Sequence, residues 1–231
     1  MSEVKETVTQ VSDTVSKIVR SRTCGCKDIH VALITENTST QYLAGIPQKL
    51  ARAIKIKIDE KWTSEKIYSD DETEEVITSY EGTDVELEIN ALAPQDRAIV
   101  FGQLYKHGYL VKNANDRAPE VAIGWRERKL NGKYEFKWLY IGKFAEGISE
   151  EANTKEGKLS PTTKSIKGSF YERALDGKYE ISVDESNLVT EDTDAATALK
   201  NWFSAVQEYP DAADVDSGAT GEGESGNEPK A

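Results

Sequence analysis

The sequence holds only two cysteines, two histidines and one methionine among its 231 residues. Cys24 and Cys26 sit in "TCGC". A lone C-x-C supplies neither a disulfide framework nor the third and fourth ligands of a closed zinc site, so both read as ordinary reduced thiols. His30 falls in a strand pattern and His107 follows a helix. Neither stands in an H-x-x-x-H or H-x-E spacing, so packing or surface roles fit them better than ligation. There is no G-x-S-x-G elbow, no Walker loop and no dinucleotide fingerprint. A carboxylate pair for acid–base work could be drawn from 41 candidates, which makes any choice uninformative. These absences lean against catalysis: the expectation is a non-enzyme with no cofactor and no catalytic or metal-binding residue.

Long apolar runs are missing too. No stretch approaches the roughly 20 residues that span a bilayer, and "MSEVKETVTQVSDTVSKIVR" lacks the apolar segment of a signal peptide. A soluble protein made in a cytoplasm is therefore expected, with no membrane segment. Positive charge is outnumbered, 29 Lys and Arg against 41 Asp and Glu, for a formal −12. That balance argues against a general grip on nucleic acid through phosphate neutralisation, although an acidic protein can still enclose DNA without holding it.

What is present is β chemistry, in a chain long enough for one large β domain or two small ones. "LNGKYEF" (130–136) returns as "LDGKYEI" (175–181). Asn131-Gly132 and Asp176-Gly177 tolerate positive φ at both centres of a type I′ turn, so each copy predicts a tight hairpin. A two-residue loop in the first puts Leu130 opposite Lys133, Arg128 opposite Glu135, Arg126 opposite Lys137, Trp125 opposite Trp138 and Ile123 opposite Tyr140. One face would then carry Ile123, Trp125, Tyr134, Phe136, Trp138 and Tyr140 as an aromatic stack seeking a core. The same counting sets Arg173 opposite Glu180 and Phe170 opposite Val183 in the second copy. Taken alone, the similarity needs no more than two solutions to one turn problem.

Elsewhere, "KDIHVALIT" (27–35) predicts a strand, and "KLARAIKIKI" (49–58) a half-buried one with Ile54, Ile56 and Ile58 set against Lys55 and Lys57. Residues 65–84 gather carboxylates at Asp70, Asp71, Glu72, Glu74 and Glu75 without the central Gly of a calcium loop, which reads as a solvated, mobile loop or arm. In "DVELEIN" (84–90) Val85, Leu87 and Ile89 point inward and Glu86 and Glu88 outward. Pro94 opens a helix in "PQDRAIVFGQLY" whose Ile99, Val100 and Leu104 can face a sheet. Asp192 or Thr193 caps a second, with Ala195, Leu199, Trp202, Phe203 and Val206 on one stripe. Val4, Val8, Val11, Val15 and Ile18 follow one helix stripe, of a segment that needs a partner to be stable; a frayed polar leader is the alternative. Beyond Pro210 six carboxylates, one lysine and many glycines predict disorder, leaving −7 of the −12 to the rest. The organisation expected is an arm (1–26), a domain of mostly antiparallel sheet with two helices (27–207) and an acidic tail (208–231).

Taken in order, "KDIHVALIT", "KLARAIKIKI", "KIYSDDETEE", "VELEINALAPQDRAIVFGQLY", "PEVAIGWRERKLNGKYEFKWLYIGKF" and "LKNWF" resemble the major tail proteins of long-tailed (siphovirus-type) bacteriophages. The likeness spans about residues 27–206. Its most specific parts are "YSDDE", "LAPQDRAIVFG" and the "VAIGWR…NGKYEFKWLYIGKF" hairpin; the leader with its C-x-C and the acidic tail lie outside it. The resemblance implies a β-sandwich or barrel of the tail tube type with a flanking helix. It implies a virion protein whose hexameric rings stack into a hollow tail tube, joined to other tail proteins at the ends and passing DNA without specific binding. On that reading Glu86 and Glu88 are candidates for the lumen face, with the outer wall as the alternative. Asp70, Asp71, Glu72, Glu74 and Glu75 are candidates for contacts between rings. The rival is a β-sandwich module binding glycan or cell surface through exposed Trp and Tyr.

Overall fold

Alternation with a period of two buries one side of a strand and leaves the other to water. The computed structural model describes residues 18–69, 72–150 and 162–210, and in it Val85, Leu87 and Ile89 are at most 1% exposed. The expected leader stripe at Val4 to Val15 and the acidic tail beyond Pro210 lie outside the described residues, as do Asp70 and Asp71.

The strands are β1 (Thr23–Asn37), β2 (Tyr42–Ala44), β3 (Gln48–Lys49), β4 (Ala53–Ser69), β5 (Glu72–Ile89), β6 (Leu104–Lys106), β7 (Tyr109–Val111), β8 (Val121–Lys129), β9 (Tyr134–Lys143), β10 (Ile148–Glu150), β11 (Lys164–Tyr171) and β12 (Glu180–Asp184). Among the described residues two helices, α1 (Pro94–Phe101) and α2 (Thr193–Lys200), complete a mainly β fold. Ten strands form one antiparallel sheet in the order β2-β1-β8-β9-β11-β5-β4, with β10 on β11, β12 on β9 and β3 on β1; β6 and β7 make a separate hairpin. The sheet curls until Cys26 on β1 meets the Ile56 backbone on β4, but no ladder joins those strands and no barrel closes. One face encloses the main core of Ile29, Val31, Val85, Leu87, Ile123, Trp125 and Phe170, with Val100 and Phe101 of α1 packed into it. The opposite face carries a second cluster in which Ala32, Ala122, Phe136 and Trp138 meet Trp202.

Several sequence expectations are corrected. β1 begins at Thr23 and takes in both cysteines, pairing Cys26 with Glu127 of β8. A register shift between Ala53 and Lys55 turns Ile54 outward, 49% exposed, while Ile56 and Ile58 keep to the core. α1 stops at Phe101, where Gly102 takes φ 68° and its N–H bonds the Ala98 carbonyl. A Cβ there would lie 2.2 Å from the Arg117 carbonyl oxygen. Leu104 therefore leaves the helix for β6 and is 59% exposed. α2 likewise ends at Lys200, and Trp202, Phe203 and Val206 reach the second cluster from the turns beyond it.

The repeated phrase makes two different structures. At the first, the Lys129 N–H bonds the Lys133 carbonyl, so the loop is three residues with Gly132 at φ 85°. The pairing slips by one from the two-residue register: Arg128 faces Tyr134, Arg126 faces Phe136 and Gly124 faces Trp138. A slip of one sends alternate side chains of one strand to the other face. The expected single stack is accordingly divided, Ile123 and Trp125 in the main core and Phe136 and Trp138 in the second cluster. At the second copy β11 and β12 do not pair with each other. Both pair with β9, β11 against Ile141–Lys143 and β12 against Glu135–Leu139. Residues 172–179 are an excursion between two halves of one antiparallel partner.

Candidate functional site

The outward face of β4, β5 and β11 is a ladder of charge. Across β4 and β5, Lys55 stands opposite Glu88 and Lys57 opposite Glu86; on the other side Glu88 faces Ser165 and Glu86 faces Lys167. Thr163 donates to Glu88 at 2.8 Å and Ser165 to Glu86 at 3.3 Å. Farther along, Lys61 pairs with Asp84 at 2.5 Å, and that contact holds the Asp84 carboxyl below its ordinary range. Glu86 and Glu88 thus share a shallow polar recess of ≈260 Å³ with Lys55 and Lys57. The sequence held the two lysines and the two glutamates as separate alternating patterns, and only strand pairing brings them together.

Of the carboxylate-rich stretch, read from sequence as a loop or arm, the described part is strand, and it projects as an arm. β5 pairs with β11 only from Thr83 to Ile89, whereas its pairing with β4 continues through Ser69 and Glu72. Residues 61–69 and 72–82 therefore run past the sheet as a two-stranded ribbon, with Glu72, Glu74 and Glu75 in β5. Of these candidates Glu75 is exposed and faces Ile67 across the ribbon. Ile67, Val76 and Ile77 are 40–49% exposed. The root of the ribbon is held by rings: Trp62 pairs with Tyr80, which stacks on Tyr179 of the excursion at 4.1 Å between centroids. Trp62 contacts Tyr80 edge-on at 5.3 Å and remains 53% exposed. This aromatic step was not foreseen, because Tyr179 reaches it from about a hundred residues away.

The remaining singled-out residues have structural surroundings. His30 stacks on Phe203 at 4.2 Å and its Nδ1 lies 2.8 Å from the Asp28 carbonyl; burial lowers its pKa. His107 holds a positive φ between β6 and β7. Cys24 is exposed and Cys26 half-buried, its thiol pushed up by burial. Among the described residues no group of three or more His, Cys, Asp or Glu is placed to hold a metal ion, and no helix is long and apolar enough to cross a membrane. Neither known protein families nor curated proteins give a match to the chain.

Proposed function

We propose that the chain is a structural virion protein that assembles through its own copies, as hexameric rings stacked into the tail tube of a long-tailed phage, with the genome passing through the lumen. The observation that carries this reading is the ribbon of residues 61–69 and 72–82. A two-stranded extension has no core of its own, and isolated hairpins are marginal in water. A ribbon with apolar side chains on view is ordered most economically against a neighbour. β4 is also a long strand at the edge of the sheet, and an open edge is a template for a further strand. Rings require one patch to dock into a different patch, which an edge and a projecting arm can supply. The charged ladder suits a wall facing water: its carboxylates are matched by lysines, which leaves little net positive charge to hold a polyanion. On this reading the protein is not an enzyme and belongs to the virion. Electron microscopy of the purified protein tests it, with rings or tubes expected and a monodisperse monomer at high concentration as the contrary result.

A second reading is favoured by the step of Trp62, Tyr80 and Tyr179, since an exposed indole beside Glu60 (3.3 Å from the Trp62 N–H) is suited to the face of a sugar ring. A glycan-binding module would stay a small oligomer and retain oligosaccharide, with retention lost in Trp62→Ala.

A further inference from the structure

Between β12, α2 and residues 207–210 lies a groove of ≈820 Å³ whose floor is Ile181, Val183, Ala198 and Trp202. Trp202 is 2% exposed, and its indole N–H is buried without an acceptor. A buried donor left unpaired is rare in native proteins and calls for a partner. We propose that this groove is the seat of residues 4–15 of the same chain, whose valine stripe covers the apolar floor.

Three observations select that occupant. The first is where the chain enters. Asn187 clamps the Val19 backbone on both sides, the Val19 N–H donating to its Oδ1 at 2.8 Å and its Nδ2 donating to the Val19 carbonyl at 3.4 Å. Ile18 and Val19 line a cleft that shares Asp184 and Asn187 with the groove, so the first described residues stand at the mouth of it. A tethered segment then competes at a local concentration of the order of millimolar. The second is pattern. Val4, Val8, Val11 and Val15 recur with helical spacing on a segment too weak in helix propensity to stand alone, and as a helix they would span about 16 Å, slightly more than the length of α2. Thr7, Ser12 and Thr14 flank that stripe and supply oxygen acceptors for the Trp202 N–H. The third is charge. The groove is rimmed by Asp184, Glu191, Asp192, Asp194 and Glu208. Residues 1–17 carry three carboxylates and two lysines, whereas residues 211–231 carry six and one, so the rim repels the tail far more than the arm. The inference does not depend on the tail-tube reading.

The test uses the full chain. Val8→Asp with Val11→Asp should raise amide hydrogen exchange in Ile181–Asp184 and Thr193–Lys200 by about tenfold or more. Thr9→Asp with Gln10→Asp adds the same charge away from the stripe and should leave exchange there unchanged. With Cys24 and Cys26 replaced by Ser, Val11→Cys with Ala198→Cys should form a disulfide within single chains in dilute protein. Unchanged exchange in the stripe variant, an equal rise in the off-stripe variant, or a cross-link found only between chains would each overturn the proposal, the last by assigning the groove to a neighbouring copy.

Discussion

Arg173 grips Asp176, three residues on, with Nε and Nη2 at 2.6 and 2.7 Å from its two carboxylate oxygens. The guanidinium is 3% exposed and lies 4.4 Å from the Tyr140 ring centroid and 5.0 Å from that of Tyr42. This pair pins the excursion of residues 172–179 against β9, and through Tyr179 it braces the root of the ribbon. Asp176→Asn leaves a buried cation with its bidentate partner gone and should cost about 2–3 kcal/mol. Arg173→Met, which removes the charge and keeps the bulk, should cost less. Urea denaturation orders the two variants, and the reverse order would show that the ring contacts rather than the ion pair carry the site.

Acid should unfold the protein through a small set of carboxylates. Arg173 holds the Asp176 carboxyl far below its ordinary range. Burial pushes the Asp28 carboxyl up, but Lys49 and Arg126 outweigh it and hold it at about 2. At Glu135 and Asp184 burial likewise pushes the carboxyl up, and Lys129, 7% exposed and bonded to both, overcomes it and holds them below their ordinary range. Depressed carboxylates stabilise the fold fully above their unfolded values of 3.8 and 4.5, and that stability is lost as pH falls through the folded ones. Stability contributed by these groups should be level above pH ~5 and fall steeply below pH ~4. Asp28→Asn with Asp176→Asn should be weaker at neutral pH and show a shallower acid loss; an unaltered slope in urea midpoints from pH 7 to 3 would assign acid unfolding to other groups.

Gly124 is where the slipped hairpin is most exacting. It faces Trp138 across β8 and β9, and a Cβ there would stand 2.5 Å from the indole. Gly124→Ala forces the ring off Phe203 and its N–H off the Trp202 carbonyl, to which it donates at 3.1 Å, and should cost about 2–3 kcal/mol, a fall of roughly 4–12 °C in Tm for a chain of this size. A melting curve within a degree of the parent would mean that the second cluster repacks freely.

Ile67→Ser with Val76→Ser and Ile77→Ser should leave the melting temperature nearly unchanged, because these side chains are about half exposed and touch no core. Tube length or ring stacking should fall. Tubes of normal length from this variant would reduce the ribbon to a solvated appendage.

Glu86→Lys with Glu88→Lys sets lysine against Lys55, Lys57 and Lys167. Like charges directly opposite cost about 0.2–1 kcal/mol a pair, so the fold should persist with a small loss. If the ladder lines a lumen, genome ejection should slow, more at low salt than at high salt. Assembled tubes with a salt-independent, unchanged ejection rate would put this face on the outer wall.

The sequence alone determined which strands have two unlike faces: Val85, Leu87 and Ile89 against Glu86 and Glu88 is a property of neighbours two apart, and any antiparallel partner preserves it. It also determined where α1 begins, since Pro94 and Asp96, which accepts from the Ala93 N–H, act within one turn. Tertiary structure decided the rest, because partner choice and register depend on residues far apart. One extra residue in the loop at Leu130–Gly132 moved the pairing by one and divided an apparent aromatic stack between two cores. β12 lies on β9 rather than on β11 because Arg173 and Asp176 divert the chain and return it to a free stretch of the same edge. Glu72, Glu74 and Glu75, polar enough to read as a loop, are carried in a ribbon because β4 and β5 continue to satisfy each other's backbone beyond the last residue of β11, and local composition carries no record of that.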